Sequence, residues 1–197
     1  TYSYSFEEEG EYVADLSSMT KIDAGTYTIY VKGTNPNYSE PATTTATLKI
    51  KQRPVTFTGK SETKPYTGST ITINTVEVTE TGEGVGLVSG HTHNVEFSAS
   101  GIEANTYTGT ITDMEDVVIK SGETSVTDNY DITVTNGTLT ITQTTEKFEI
   151  SLDDDEYVYD AAEHANAKTA TSTAVTGTTT YSYSFEEEGE YVADLSS

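Results

Sequence analysis

The chain has no cysteine and no tryptophan, and only four of its 197 residues are proline. Without cysteine there is no disulfide and no thiol nucleophile, and the redox compartment cannot be judged from thiols. Basic residues are also scarce, because ten Lys and Arg stand against 32 Asp and Glu, for a net charge of −22. A surface of that sign repels nucleic acid and anionic lipid and attracts cations. We therefore expect no nucleic-acid partner.

Long apolar runs and helical patterns are missing as well. No apolar run approaches the roughly 18 residues of a spanning helix, so we expect no membrane insertion in this segment. No stretch combines sustained helical periodicity with capping residues. Neither a G-x-S-x-G elbow nor a P-loop is present, and paired carboxylates are unavoidable among so many acids. The sequence therefore predicts no enzyme, no catalytic residue and no cofactor-binding residue.

The clearest positive feature is an exact duplication. Residues 1–18 and 180–197 both have the sequence TYSYSFEEEGEYVADLSS, 179 positions apart. Chance does not produce such a match, and repeats at a fixed period indicate modular arrays. We interpret the chain as a window on a longer tandem array with a 179-residue repeat.

A second, weaker repeat lies inside the first. IDAGTY at 22–27 parallels IEANTY at 102–107. ATLKIKQ at 46–52 parallels GTLTITQ at 137–143. YVYDA, which begins at Tyr157, parallels the KPYTG segment of the other module. The repeat therefore consists of two diverged modules, A and B.

These parallels predict the domain boundaries. Residues 1–52 form the C-terminal part of module A, 53–143 form a complete module B, and 144–197 form the N-terminal part of the next module A. Since 180–197 duplicates 1–18, both stretches belong at the same place in module A. We expect two copies of the chain to complete module A between them, head to tail, as neighbouring repeat units of one polypeptide do.

The local patterns predict β-structure throughout. Threonine-rich segments alternate apolar and polar residues, and turn residues recur about every ten positions, as in β-sandwiches. Asp23, Gly25 and Tyr27 lead into such a strand in the pattern of a tyrosine corner. The predicted fold class is all-β, with tandem immunoglobulin-like β-sandwich modules in an elongated array. β-Grasp-like modules are the alternative.

Module B also resembles a known family. Its Arg53-Pro54 start and its closing run NYDITVTNGTLTIT at 129–142 are similar to the MBG/YDG-type repeat modules of large, adhesin-like bacterial surface proteins. Module A departs from that pattern, with Asp160-Ala161 where an Asp-Gly turn is expected. The resemblance implies an extracellular location and a structural role in a surface stalk, fibre or filament. An adhesive module for mucin or other host glycans is the alternative.

Two clusters contain metal-ligand residue types. The acidic run offers hard oxygen ligands suited to Ca²⁺, and we take it as the candidate calcium site, with a solvated acidic loop as the alternative. Its members are Asp153, Asp154, Asp155 and Glu156. His91 and His93 share one face of an extended segment and can chelate a metal, although a solvated loop is favoured for them.

Overall fold

The structure is a computed structural model that describes residues 1–193. The chain is all-β, which confirms the predicted class at that level. Helical residues occur, within the described part, only as three short 3-10 turns, namely Leu16–Ser18, Met114–Asp116 and Thr127–Asn129. None of the described helical segments has the length and apolar character required to cross a membrane.

The strands alternate with short turns along the whole chain. In chain order they are β1 (Tyr2–Ser5), β2 (Gly25–Gly33), β3 (Ala42–Ile50), β4 (Arg53–Gly59), β5 (Glu62–Pro65), β6 (Ile71–Ile73), β7 (Val76–Val78), β8 (His91–His93), β9 (Phe97–Gly101), β10 (Thr106–Thr108), β11 (Thr110–Ile111), β12 (Ile119–Ser121), β13 (Thr124–Ser125), β14 (Tyr130–Thr135), β15 (Thr138–Thr142), β16 (Ile150–Ser151) and β17 (Thr171–Ser172).

Two compact units share these strands. Unit 1 contains Thr1–Lys60, Asn74–Ser98 and Gly109–Gly137, and unit 2 contains the remaining segments. Both units draw on module B as the sequence repeat defines it. The two units are groups of residues that lie close together in space, whereas the modules are defined by internal sequence repeats. One division therefore does not test the other, and the module boundaries at 52/53 and 143/144 stay a prediction.

Unit 1 contains the longest sheet. β2 lies between β1 and β3 and is antiparallel to both, while β4 lies between β14, which is parallel to it, and β7. Alternation places every second side chain of β4 on the inner face. The buried apolar side chains of unit 1 are Val55, Phe57, Val95, Phe97, Ile111, Val117, Ile119 and Tyr130.

Unit 2 is organised around β15. This strand has β10 antiparallel on one edge and β5 parallel on the other, so both of its backbone edges are satisfied. Two further pairs are antiparallel, β6 with residues 99–101 of β9, and β16 with β17. The buried apolar side chains are Ile73, Ala99, Leu139, Ile141 and Ala170.

The hydrogen bond expected for the corner at residues 23–27 is present. The Tyr27 hydroxyl donates to the backbone oxygen of Asp23 at 2.9 Å. The Tyr107 hydroxyl makes the same bond to the backbone oxygen of Glu103 at 3.0 Å. Each bond runs from a tyrosine in the strand, β2 or β10, to a carbonyl four residues earlier, before the strand begins, so the two segments share this contact as well as their sequence.

The turn at Ala161 is a second feature common to both modules. Ala161 is the one non-glycine residue at positive φ in the described chain, at 65°, and Gly68 in module B has φ 75°. In each turn the side chain of the preceding residue accepts an amide hydrogen, with Ala162 N to Asp160 Oδ1 at 2.9 Å and Ser69 N to Thr67 Oγ1 at 3.4 Å. Module A therefore keeps this turn although it has Ala161 where a glycine is expected, and the alanine adopts a left-handed conformation.

We predict that Ala161→Gly stabilises this turn and that Gly68→Ala destabilises its counterpart. A left-handed alanine costs about 1 kcal/mol, so the exchange protection of the Ala162 amide should rise by roughly fivefold. At residue 68 the added Cβ also lies 3.0 Å from Val175 Cγ1, so protection of the Ser69 amide should fall at least as much. Hydrogen exchange read by NMR measures both amides, and unchanged protection at Ala162 would contradict the prediction.

Candidate assembly interface

The duplicated stretch forms the same hairpin twice. Tyr4 and Val13 form a β-bridge in the first copy, and Tyr183 and Val192 form it in the second, each with a 2.7 Å bond from the tyrosine amide. The Glu7 amide donates to Ser5 Oγ at 3.1 Å, and its counterpart in the second copy repeats that bond. The hairpin therefore depends on local sequence alone. The last four residues of the second copy lie outside the described residues.

The two copies differ in what surrounds them. In the first copy β1 pairs with β2 over four residues, and Ser5 is buried. The Phe6 ring lies edge-on to the Tyr27 ring at 6.2 Å, and Lys21 Nζ is 4.6 Å from the Phe6 centroid. In the second copy Phe185 is 91% exposed. The second hairpin thus has the same shape without the β2 that covers the first.

The N-terminal part of module A shows the same imbalance. Aligned on the shared turn, Phe148 and Ile150 of module A correspond to Val55 and Phe57 of β4. The module B residues are 1% and 0% exposed, whereas Phe148 and Ile150 are 57% and 65% exposed. Phe148 and Ile150 are therefore exposed at positions whose counterparts in module B are buried. The aligned segment begins at Tyr157, and extending the alignment nine residues further towards the N-terminus identifies both residues from the sequence.

Residues of the predicted C-terminal part of module A are also less covered than their counterparts in module B. Asn37-Tyr38 parallels Asn129-Tyr130 in sequence, so Tyr38 corresponds to Tyr130, and the two tyrosines are 74% and 4% exposed. β3 corresponds to β15, yet within residues 1–193 β3 is an edge strand of its sheet, whereas β15 has a neighbour on each side. Each part of module A therefore exposes what the equivalent part of module B buries or pairs.

Unit 2 contains a surface groove. Its volume is about 660 Å³, and its lining includes Tyr66, Phe148 and Val175 together with the charged Glu146 and Lys147. The hydroxyl of Tyr66 shares a short hydrogen bond with Thr176 Oγ1, which fixes the ring. Two aromatic side chains beside polar groups suit a small polar ligand.

The acidic run does not converge on one point. Asp155 Oδ2 accepts the Ala167 amide at 3.0 Å and the Tyr157 hydroxyl at 3.3 Å, and Lys168 Nζ lies 3.8 Å from Oδ1. The Ala167 bond, followed by the charge of Lys168, lowers the pKa of Asp155. Residues 1–193 contain no group of three or more His, Cys, Asp or Glu side chains placed to hold a metal ion. The calcium site at Asp153–Glu156 stays a prediction.

We predict that Ca²⁺ raises the melting temperature more than Na⁺ at equal ionic strength. Carboxylates that bind calcium directly add a specific term to the general relief of self-repulsion at a charge of −22. The double variant Asp153→Asn/Asp154→Asn should lose the excess, and Glu8→Gln/Glu9→Gln, with the same charge change, should keep it. Equal shifts with both salts in differential scanning fluorimetry would show screening alone.

The two histidines lie on β8 of unit 1, where a solvated loop was favoured. His91 Nδ1 shares a 2.6 Å hydrogen bond with the Tyr130 hydroxyl, which also accepts the Val88 amide. His93 Nδ1 accepts the Val95 amide at 3.2 Å, and its ring centroid lies 4.7 Å from that of Phe57. The loop prediction is wrong, because these partners build both imidazoles into the strand packing.

We predict that unit 1 loses stability as the pH falls below about 6.5. Burial lowers the pKa of His93, so the unfolded chain binds a proton at a pH where the folded chain does not. The loss ends once the pH is below the lowered folded pKa. His93→Asn keeps an acceptor for the Val95 amide and cannot titrate, so its urea midpoint should change less between pH 7.5 and 5.5. Equal midpoint changes in the two proteins would contradict this account.

Comparison with known proteins gives no relative. No protein-family model matches the chain, and neither a curated protein nor a solved structure is similar to it.

Proposed function

We propose that the chain is a structural repeat unit that assembles end to end by completing module A between neighbouring units. The observation that carries this proposal is the exposure of Phe148, Ile150 and Tyr38, whose module B counterparts are buried. A face built like a core and left uncovered is completed by the segment that covers it in the sister module. The partner is therefore the other part of module A, on the next copy of the chain.

The strand directions support an array that continues in one direction. Within unit 1, β4 and β14 are parallel, and within unit 2, β5 and β15 are parallel. β4 and β5 open module B, and β14 and β15 close it. Each opening strand of module B therefore runs in the same direction as the closing strand that pairs with it, which suits a head-to-tail series of modules.

We further propose that these modules are immunoglobulin-like sandwiches, with β-grasp-like modules as the alternative, and that they belong to a bacterial surface stalk, fibre or filament. The resemblance of the run at 129–142 to adhesin-like surface modules supports this location. The charge of −22 suits an extracellular, solvated array that stays soluble.

We predict that Phe148→Ser/Ile150→Ser weakens self-association of the 197-residue chain and leaves module B folded. Both side chains are more than half exposed in the single chain, so their loss removes little packing there. Met114→Ser is the matched control, since Met114 is 54% exposed and lies in module B. Multi-angle light scattering over a concentration series should show association of the wild type and the control only.

The shape of a longer array provides a second measurement. Small-angle scattering of two or three consecutive 179-residue repeats should give the profile of a rod. A wild-type chain that stays monomeric at high concentration, together with a compact or coil-like profile of the repeats, would overturn the proposal.

A second candidate function is binding of mucin or another glycan in the groove of unit 2. Tyr66 and Phe148 supply the aromatic surface that sugar rings stack on, and Lys147 and Glu146 supply hydrogen-bond partners. A glycan array probed with the whole chain and with Tyr66→Ala tests it. A signal that the variant loses supports adhesion, and the absence of any signal for the wild type removes it.

A further inference from the structure

The free edge of β3 has a specific missing neighbour. In module B the sheet order is β10, β15, β5. The counterparts of β10 and β15 in module A are β2 and β3, which pair with each other in the same antiparallel way. The counterpart of β5, by alignment on the shared turn, is the segment Asp155–Val158.

We propose that Asp155–Val158 of one copy of the chain pairs in parallel with the C-terminal end of β3 on a second copy. Leu139 lies opposite Glu62 and Thr140 opposite Thr63 in module B. Transferred to module A, this register places Leu48 opposite Asp155 and Lys49 opposite Glu156. The inference rests on the proposed function, and it specifies which strand joins two copies of the chain and in which register.

Charge complementarity supports this occupant. The β3 end carries Lys49 and Lys51, two of the ten basic residues of the chain, and the incoming segment begins in the acidic run. Glu156 comes directly opposite Lys49 and diagonal to Lys51, and Asp154 comes diagonal to Lys49. Opposite charges at directly paired and diagonal positions stabilise neighbouring strands.

The same positions in module B carry no charge. Thr140 and Thr142 stand where module A has Lys49 and Lys51, and Thr63 stands where it has Glu156. Charge pairing at this edge is therefore particular to module A. Charge pairing favours binding of the acidic segment to β3 over binding to an edge like that of β15. At a β15-like edge Glu156 would have no lysine opposite it.

The segment is held by its side chains, while its backbone belongs to no strand of the described chain. The Tyr157 ring stacks on His164 at 4.3 Å, its hydroxyl donates to Ala165 O at 3.1 Å, and Asp155 accepts the Ala167 amide. Those contacts leave the backbone of Asp155–Val158 available for a ladder with another chain. The acidic run thus serves as a strand that joins units, and this role needs no metal.

Disulfide trapping tests the register, since the chain has no cysteine of its own. Chains carrying Lys49→Cys and Glu156→Cys, with tags of different mass, are mixed at equal concentration and mildly oxidised. Paired residues on adjacent strands lie about 5 Å apart, within the range a disulfide accepts. The matched control mixes Lys49→Cys with Asp153→Cys, which in this register lies three residues, or about 10 Å, further along the strand.

The expected result is a mixed disulfide formed about tenfold faster with Glu156→Cys than with Asp153→Cys, because pairing raises the local thiol concentration. Association of the wild-type chain by light scattering without that preference would overturn the register and leave the proposed function standing. Absence of association would overturn both.

A charge-reversal pair provides a readout that needs no disulfide. Lys49→Glu/Lys51→Glu should abolish association, and adding Asp154→Lys/Glu156→Lys to the same chain should restore it. The reverse charges on both sides recreate the same attraction in the proposed register. Failure of the second variant to restore association would contradict the pairing.

Discussion

The backbone of a β-strand has hydrogen-bonding groups on two edges, and the fate of those edges determines most of this structure. A buried or central strand leaves no N–H or C=O unpaired, and an open edge is a template for another strand. β15 meets this requirement with β10 and β5, whereas β3, built from a similar sequence, has a neighbour on one side only in the described part of the chain. The difference between the two modules is thus mainly a difference in which strands are at hand to pair, and only secondarily one of sequence.

Local features of the fold could be predicted from the sequence because they depend on residues close together in the chain. The corner at Tyr27 uses a carbonyl four residues upstream, and the turn at Ala161 uses the neighbouring Asp160 side chain. Alternation likewise identifies Val55 and Phe57 as one face of a strand. Each of these follows from a pattern of fewer than ten residues.

The parallel pairing of β4 with β14 could not be predicted in the same way. Arg53 lies opposite Tyr130, and no short motif specifies a partner so distant in the chain. Nor did composition reveal that the two imidazoles of β8 are packed against Phe57 and Tyr130, because their partners come from other strands. For the candidate site, the internal repeat showed which residues of module A correspond to which residues of module B. Only the exposure of each side chain in the structure showed which residues of module A are uncovered while their counterparts are buried.

The chain has only ten basic residues, and two of its lysines lie over aromatic rings of the first hairpin. Lys32 Nζ lies 4.0 Å from the centroid of the Tyr12 ring, and Lys21 Nζ lies against the rings of Phe6 and Tyr27. Such contacts contribute about 0.5–1 kcal/mol each at exposed sites, and they tie the first hairpin to the segment that contains β2. Among the described residues, the lysine contacts to aromatic rings all lie at the first hairpin and at Tyr27 beside it, and Phe185 of the second hairpin is exposed. In a chain with so many carboxylates, a hairpin that has lysines over its rings gains a local offset to their mutual repulsion, and that gain favours the first hairpin at its place beside β2.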